Sequence, residues 1–326
     1  MKKVSIIIPC YNEEEALPLY FEAVDPIISK IEGYTFDFVL VNDGSKDKTL
    51  EVMNDIYMKR NDVTVVNETR NYGQNAALTA GLLSATGDYV IMMDVDLQDP
   101  VDLIPKICEK FTEGYEVVNP HRSNRKEDSW FKRTTAGIFY KFINFLEGKE
   151  VIPENVNCYR GLSRRAVDAI NALEEKDRFY VSLIPLVGFK TTSIDFTRQK
   201  RTVGKSKYSL SKLFNHAFNL ISTTTAKPLY FPIKFGAISS CVCFVFSVLF
   251  IILFCCLTRG NFAHLLMFFI FLLGFFASII IFFIGINSLY MHNILINTRN
   301  RPTTNIETVF RPEDKLNNLE NKGENE

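Results

Sequence analysis

The chain has 326 residues, 47% of them hydrophobic, and its 37 basic and 37 acidic side chains give a formal net charge of zero. This length fits one large soluble domain plus a membrane segment. Seven cysteines without paired spacing exclude a zinc site and a disulfide framework, and the first apolar run is too short for a signal peptide.

Apolar β-branched runs alternate with helix-like periodicity through the first third of the chain. Strands that alternate with helices predict βαβ units and a mostly parallel sheet. The predicted strands are Val4–Pro9, Asp37–Val41, Val63–Asn67, Tyr89–Met93 and a weaker one that begins at Val117, and the predicted helices are Glu14–Lys30, Thr49–Arg60, Asn75–Ala85 and Pro100–Thr112.

The pattern is less regular beyond Asn119. Periodicity predicts helices over Trp130–Leu146, Ser163–Leu173 and Ser209–Thr225. The last of these is amphipathic, which suits either a core helix or a helix at a membrane interface. Its position between a basic stretch and a long apolar run favours the interface.

Two long runs in the last third of the chain, Phe235–Leu257 and Leu265–Tyr290, contain no charged side chain. Each exceeds the about 20 residues that a helix needs to cross a bilayer, so together they predict a transmembrane hairpin. A block of Lys and Arg between Lys190 and Lys234 precedes the first run and predicts a cytoplasmic location by the positive-inside rule. Beyond Asn300 the chain is polar and acidic, and disorder is expected.

Two acidic side chains follow the fourth predicted strand in the motif Asp94-Val95-Asp96. Ligands of parallel α/β sheets bind outside the carboxyl ends of the strands. Mg²⁺ typically combines few carboxylates with substrate phosphates and water, so this pair is suited to one hard cation. A polar strand end without a ligand is the alternative, but the βαβ pattern before the motif favours a metal-diphosphate site.

Asp43 follows the second predicted strand in the turn VNDGSKDKT. An Asp at this place can bind a ribose hydroxyl or a base edge, and it can equally form an Asx turn ahead of a helix. Its position at the same sheet edge as the acidic pair favours nucleotide binding.

Two basic clusters are suited to phosphate groups, because the guanidinium fork of Arg matches phosphate oxygens. One lies in PHRSNRKE and the other in RQKRTVGKSK, where a glycine permits close approach of the backbone. Solvated surface loops are the alternative for both. The residues concerned are Arg122, Arg125, Arg198, Arg201, Lys205, Ser206 and Lys207.

The chain resembles glycosyltransferase family 2, and more narrowly its membrane-anchored polyprenyl-phosphate branch, in several separated segments. These are SIIIPCYNEEEAL, LVNDGSKDKT, TRNYGQNAALTAGLLSATGDYVIMMDVDLQDP, YRGLSRRAVDAI and RQKRTVGKSKYSLSKL. The resemblance covers nearly the whole chain before the tail. It implies a GT-A fold (α/β, Rossmann-like), a nucleotide-sugar donor, a divalent metal (Mg²⁺ or Mn²⁺) and a lipid-phosphate acceptor.

The resemblance also implies a role for each matching residue. The metal would be held by Asp94 and Asp96. Catalysis would rest on Asp96, on Gln98, which faces the sugar, and on Arg201. Contacts to the nucleotide sugar would come from Pro9, Tyr11, Glu13, Asp43, Asp94, Arg122 and Arg198. Independently of the resemblance, the basic clusters make Arg125, Lys205, Ser206 and Lys207 candidates for contact with the lipid phosphate.

Two positions depart from the family pattern. Many relatives have Asp-Phe-Arg where this chain has Cys158-Tyr159-Arg160, so a dedicated catalytic base is in doubt. A phosphate monoester has a second pKa of about 6, so the acceptor needs no base at neutral pH. Gln74 stands where many relatives carry Lys, a difference that would tune donor binding.

The expected reaction is a single displacement, with inversion, that moves a hexose from a UDP-sugar to polyprenyl (undecaprenyl) phosphate for modification of cell-envelope glycans. Glucose is the first choice, and GDP-mannose and UDP-GlcNAc are alternative donors. A processive polysaccharide synthase is a further alternative, although the Q-x-x-R-W motif of such enzymes is missing. A membrane scaffold that binds nucleotide sugars without turnover is the third.

Four segments are expected along the chain. They predict a multi-pass protein of the inner membrane whose catalytic domain and termini are cytoplasmic. The expected partners are the donor, the acceptor and the bilayer, without nucleic acid, and a homo-oligomer is left open. The segments are a GT-A domain over 1–208, an amphipathic interfacial region over 209–232, the hairpin over 233–290 and a polar tail over 291–326.

Overall fold

A computed structural model describes residues 1–122, 158–176, 178–196 and 262–315, together with six separate residues between 232 and 245. The chain divides into two compact units. The described part of the first unit comprises the residues up to 196 and those from 300 onward. The second unit contains the long apolar helix that precedes residue 300.

Strands and helices alternate along the first unit, as the apolar pattern predicts. The strands are β1 (Lys2–Cys10), β2 (Tyr34–Asn42), β3 (Val63–Glu68), β4 (Tyr89–Met92), β5 (Val117–Arg122), β6 (Arg160–Ser163), β7 (Thr191–Phe196) and β8 (Ile306–Phe310). The helices are α1 (Ala16–Ile28), α2 (Thr49–Lys59), α3 (Gln74–Ser84), α4 (Leu103–Thr112), α5 (Arg164–Asn171) and α6 (Tyr180–Leu186).

Within the described residues these strands form one sheet of eight, in the order β7-β5-β6-β4-β1-β2-β3-β8. The pairs β4-β1, β1-β2 and β2-β3 are parallel, so the carboxyl ends of these strands meet at one edge. β6 runs antiparallel to its neighbours β4 and β5, and β8 runs antiparallel to β3. The mostly parallel α/β sheet expected from the sequence is therefore confirmed.

Helices cover both faces of this sheet. Ile6 and Ile8 of β1 pack with α1, α2 and α4, whereas Ile7 packs on the opposite face with α3, α5 and α6. Burying an aliphatic side chain of this size contributes about 1.5–3 kcal/mol, so a strand that is apolar on both faces is stable only between two helical layers. α3 approaches β1 closely at Gly81, where a Cβ would lie 2.3 Å from Ile7 Cγ2.

The segment after the long apolar helix is part of the eight-stranded sheet. β8 pairs with β3, the main-chain N–H of Thr69 donates to the carbonyl of Asn305 (3.1 Å), and the Tyr57 hydroxyl donates to the carbonyl of Arg311 (2.8 Å). The expectation of disorder beyond Asn300 is therefore wrong for residues 301–315. The five residues of β8 pair with the main-chain N–H and C=O groups at the edge of β3. A prediction of disorder from overall polarity does not take such edge pairing into account.

The second unit contains α7 (Phe262–Thr298), a helix of 37 residues. Its portion Leu272–Thr298 is the one helix in the described part of the chain that is long and apolar enough to cross a membrane. The apolar run Leu265–Tyr290 lies within α7. Most of the other apolar run lies outside the described residues, as do the helices predicted over Trp130–Leu146 and Ser209–Thr225, so the hairpin stays a prediction.

Candidate active site

Polar side chains gather where the parallel strands end. Because β4, β1 and β2 are adjacent and parallel, the segments that follow them lie side by side. These segments carry the acidic pair, the motif Tyr11-Asn12-Glu13 and Asp43. The structure therefore brings together residues that are more than eighty positions apart in the chain, as the sequence predicted.

The acidic pair forms a turn that leaves β4. The N–H of Met93 still donates to the carbonyl of Ile7 (3.1 Å), and Val95 is buried, whereas Asp94 and Asp96 are both partly exposed. Asp96 Oδ1 accepts a hydrogen bond from the main chain of Gln98 (3.1 Å). Both carboxylates thus lie at the surface of the sheet edge, and their hard oxygens fit Mg²⁺ or Mn²⁺.

The turn contains one residue in an uncommon conformation. Leu97, directly after Asp96, has φ of +55°. A residue other than glycine pays roughly 1–2 kcal/mol in the left-handed region. The Leu97 side chain packs against the core beneath the edge, and this contact offsets the strain. Packing therefore holds the backbone of Leu97 in a conformation that is unfavourable by itself, next to a candidate metal ligand.

Gln74 contacts the acidic pair directly. Its side-chain Nε2 donates to Asp94 Oδ1 at 2.8 Å, from the first residue of α3. A Lys at this position would place a positive charge against Asp94, whereas the amide is neutral. Gln74 therefore adds no charge beside Asp94, and its suggested effect on donor binding stays a prediction.

The loops after β1 and β2 are tied to one another. The main-chain N–H of Asn12 donates to Ser45 Oγ (3.1 Å), and Asn12 Oδ1 accepts from the main chain of Lys46 (2.8 Å). The N–H of Glu13 donates to Thr49 Oγ1 (2.8 Å). These bonds fix the backbone that carries Pro9, Tyr11 and Glu13, whose side chains are all partly exposed.

Asp43 is a buried residue whose carboxylate stabilises the loop between β3 and α3. It is 4% exposed, and its carboxylate accepts hydrogen bonds from Asn71 Nδ2 (3.0 Å) and from the main chains of Tyr72 (2.6 Å) and Gly73 (3.1 Å). Burial raises the pKa of Asp43, and the bonds from Tyr72 and Gly73 oppose that rise. Any contact of Asp43 with a nucleotide would therefore be made by a carboxylate that also holds the loop.

Cys158 and Arg160 lie on the other side of the acidic pair, where β6 begins. Arg160 pairs with Met92 at the end of β4 and is 1% exposed, and burial lowers its pKa to about 10, so its charge persists at neutral pH. Burial raises the pKa of the Cys158 thiol to about 12, with a further rise from the charge of Asp94. The thiol is therefore neutral and unsuited to act as a base.

The remaining predicted residues are only partly described. Arg122 ends β5, which runs in the same direction as β4, so its backbone lies at the same sheet edge. The second basic cluster and Arg125 lie outside the described residues. The residues outside the described part of the chain are Arg125, Arg198, Arg201, Lys205, Ser206 and Lys207.

A family model described as glycosyl transferase family 2 matches residues 5–170, which include the acidic pair and both loops. The chain belongs to glycosyl transferase family 2. This membership confirms the resemblance found in the sequence and makes the protein a glycosyltransferase.

Relatives of this family-2 chain match it over much of its length. It is 35% identical over 310 residues to the prophage bactoprenol glucosyl transferase homolog of Escherichia coli, a match that covers 94% of this chain and 99% of that one. It is 34% identical over 255 residues to the undecaprenyl-phosphate 4-deoxy-4-formamido-L-arabinose transferase of Proteus mirabilis, covering 78% and 77%. A solved structure of glucosyl-3-phosphoglycerate synthase from Mycobacterium tuberculosis, in complex with Mn²⁺, uridine diphosphate and phosphoglyceric acid, covers 69% of this chain and 78% of its own, with TM-score 0.51 and 17% identity. The last comparison supports the GT-A fold.

Two residues of this edge were not among the predicted site residues. Arg160 was missed because the four residues of β6, RGLS, begin with a charged side chain and show no apolar alternation. Glu68 ends β3 and is 2% exposed. No local motif marks Glu68, because the residues around it come from β2 and from the segment before β8.

Proposed function

We propose that this glycosyltransferase moves glucose from UDP-glucose to polyprenyl phosphate at a membrane surface. The observation that carries the proposal is the partly exposed pair Asp94 and Asp96 at the carboxyl edge of the sheet, flanked by the buried cation of Arg160. Carboxylates for a metal beside a fixed positive charge suit a diphosphate leaving group.

Asp94 and Asp96 would hold a divalent cation, which supplies positive charge to the departing diphosphate. Among the described residues no group of three or more His, Cys, Asp or Glu side chains could hold a metal alone, so substrate and water would complete the ligand set. The similar mycobacterial synthase is described in complex with Mn²⁺ and uridine diphosphate, the same pair of ligands.

The acceptor supplies its own nucleophile. An oxygen of the lipid phosphate attacks the anomeric carbon of the sugar, the bond to the nucleoside diphosphate breaks, and the configuration inverts. Because a phosphate monoester has a second pKa of about 6, no side chain has to remove a proton. A neutral thiol at Cys158 is compatible with this step, so the missing Asp at this position does not argue against turnover.

The position of β8 supports the predicted membrane hairpin. β7 and β8 belong to one sheet, so the chain between them crosses a bilayer an even number of times or not at all. If α7 crosses once, a second crossing must lie between β7 and α7, and the uncharged run Phe235–Leu257 is suited to it. This supports the hairpin, with the sheet and both termini on the cytoplasmic side that the basic block favours.

The names of the relatives support the acceptor more strongly than the sugar. Both named relatives carry a bactoprenol or undecaprenyl-phosphate label, but one is a glucosyl transferase homolog and the other an arabinose-derivative transferase, at 35% and 34% identity. UDP-glucose is proposed because the relative that covers more of the chain is named for glucose. GDP-mannose and UDP-GlcNAc are the donors to compare with it.

The test is an incubation of membranes that contain the full chain with labelled UDP-glucose, Mg²⁺ and undecaprenyl phosphate. The expected product is a chloroform-soluble glycolipid, whereas a processive synthase would give an insoluble polymer. Asp96→Asn is expected to lower the rate by about 10²-fold or more, because the metal loses a charged ligand. Asp55→Asn, on the exposed face of α2, is the matched control and keeps the wild-type rate.

Three results would contradict the proposal. Labelled polymer in place of glycolipid would favour the processive alternative. No labelled product with any of the three nucleotide sugars would refute transfer to this acceptor. Full activity of Asp96→Asn would refute the assigned metal site while leaving the transfer itself in place.

A further inference from the structure

The end of β3 carries a buried carboxyl group that the proposed mechanism does not use. Glu68 is 2% exposed, and its Oε1 accepts a hydrogen bond from the hydroxyl of Thr304, just before β8. Its Oε2 is buried as well, and no donor in the described part of the chain reaches it. Leaving a charged oxygen in that state costs more than a typical hydrogen bond contributes.

The carboxyl group of Asp43 lies within hydrogen-bonding reach of Glu68. Burial raises the pKa of Glu68 to about 7, and the charge of Asp43 adds to this rise, although the bond from Thr304 opposes it. Asp43 already accepts the three donors of the loop, which stabilise its negative charge. Of the two carboxyl groups, Glu68 is therefore the one that is protonated below about pH 7.

We propose that Glu68 and Thr304 are positioning residues for the donor site: protonated Glu68 donates to Asp43 and so fixes the loop that presents Gln74 to the acidic pair. The inference rests on the proposed function, because it assigns this loop to donor binding. Hydrogen bonds connect Thr304, Glu68, Asp43 and Gly73 in that order. The peptide bond then leads from Gly73 to Gln74, whose side chain donates to Asp94.

Loss of the proton on Glu68 would put two negative charges side by side in a buried place. The other charged and titratable groups on the surrounding elements are few in the described residues. Glu307 of β8 accepts from Asn67 Nδ2 (2.8 Å), and the Arg70 guanidinium lies 4.6 Å from the Tyr72 ring. Donor affinity should therefore fall as Glu68 ionises.

The experiment measures UDP-glucose binding to the purified full chain in detergent with Mg²⁺, by calorimetry. If only the protonated form binds, the dissociation constant of the wild type rises by up to ~30-fold from about pH 6 to about pH 8.5. Glu68→Gln keeps both hydrogen bonds at every pH, since its amide donates to Asp43 and its carbonyl accepts from Thr304. Its dissociation constant is expected to stay within about twofold of the low-pH wild-type value over the same range.

A second variant tests the contribution of the segment before β8. Thr304→Val removes the hydroxyl that lowers the pKa of Glu68, so the loss of affinity should move to higher pH. Thr308→Val, an exposed position on β8, is the matched control and should leave the profile in place. Tyr72→Phe should also retain the wild-type pH dependence of UDP-glucose affinity. This result would show that ionisation of the Tyr72 hydroxyl does not cause the loss of affinity.

The outcomes distinguish this inference from the function on which it rests. An unchanged pH dependence in Glu68→Gln, with normal binding by the wild type, overturns the inference alone. Equal profiles for Thr304→Val and Thr308→Val overturn the role of Thr304. Failure of the wild type to bind UDP-glucose at any pH overturns the proposed donor and this inference with it.

Discussion

The close approach of two loops at Gly44 gives a sharp prediction for Gly44→Ala. Gly44 has φ of +59°, and a Cβ there would lie 2.3 Å from the carbonyl carbon of Arg70 and 2.4 Å from the nitrogen of Asn71. The left-handed conformation alone costs a non-glycine residue roughly 1–2 kcal/mol. The collision is with backbone, so the loop that Asp43 holds must move and lose at least one charge-assisted hydrogen bond, worth about 1.5–3 kcal/mol.

Gly114→Ala is the matched control, because Gly114 has φ of +82° and a Cβ there would meet no atom within 4 Å. It should show the conformational cost without the collision. Only the collision, worth about 1.5–3 kcal/mol, separates Gly44→Ala from this control, so its unfolding midpoint should fall roughly 3–12 °C below that of Gly114→Ala. Gly44→Ala should also weaken UDP-glucose binding by about tenfold or more, and Gly114→Ala should not.

Thermal unfolding of the purified chain in detergent gives the midpoints, and calorimetry gives the dissociation constants. Equal midpoints for the two variants would show that the loops move apart freely, and the reasoning about a fixed loop would fail. A large difference in stability without any change in donor affinity would show that this loop does not contribute to donor binding.

Three further outcomes are expected. Ile7→Ala should lower the unfolding free energy by about 2–5 kcal/mol, because Ile7 is fully buried beneath α3, and denaturant titration measures it. Cys158→Ala should change kcat by less than about threefold, whereas removal of a general base costs about 10²–10⁴-fold. The folded-state pKa of Glu68 is raised, so its stabilising contribution is present at acid pH and is lost as pH rises to about 7. Glu68→Gln should therefore raise the unfolding midpoint above neutral pH and leave it nearly unchanged near pH 5; an equal shift at both would contradict this sign.

The parallel core of the fold was predictable because each strand carries its own signal. β1 to β4 are apolar runs that end at turn residues, and the observed bounds lie within a few residues of the predicted ones. β6 and β7 were not predicted. β6 begins with a charged Arg160, and β7 alternates buried Ile194 and Phe196 with exposed polar residues over only six positions. α6 was hidden by Pro185 in its last turn.

The acidic pair was predictable for a similar local reason, since both carboxylates lie in one short motif. The sequence shows that Gln74 departs from the family pattern, but it does not show that the Gln74 side chain donates a hydrogen bond to Asp94. The pair Glu68 and Thr304 joins positions 236 residues apart, and no periodicity or motif spans that separation. Tertiary pairing at a sheet edge, rather than composition, decides what the segment after α7 does.

The place of β8 in the chain has a consequence for biosynthesis. A ribosome releases the acidic pair and its loops early, and releases Thr304 and β8 only after α7 has been made. A nascent or truncated product that ends within α7 thus holds both carboxylates of the motif but lacks the outermost strand and the hydroxyl bound to Glu68. The strand that completes this edge of the sheet is therefore synthesised only after the long apolar helix α7.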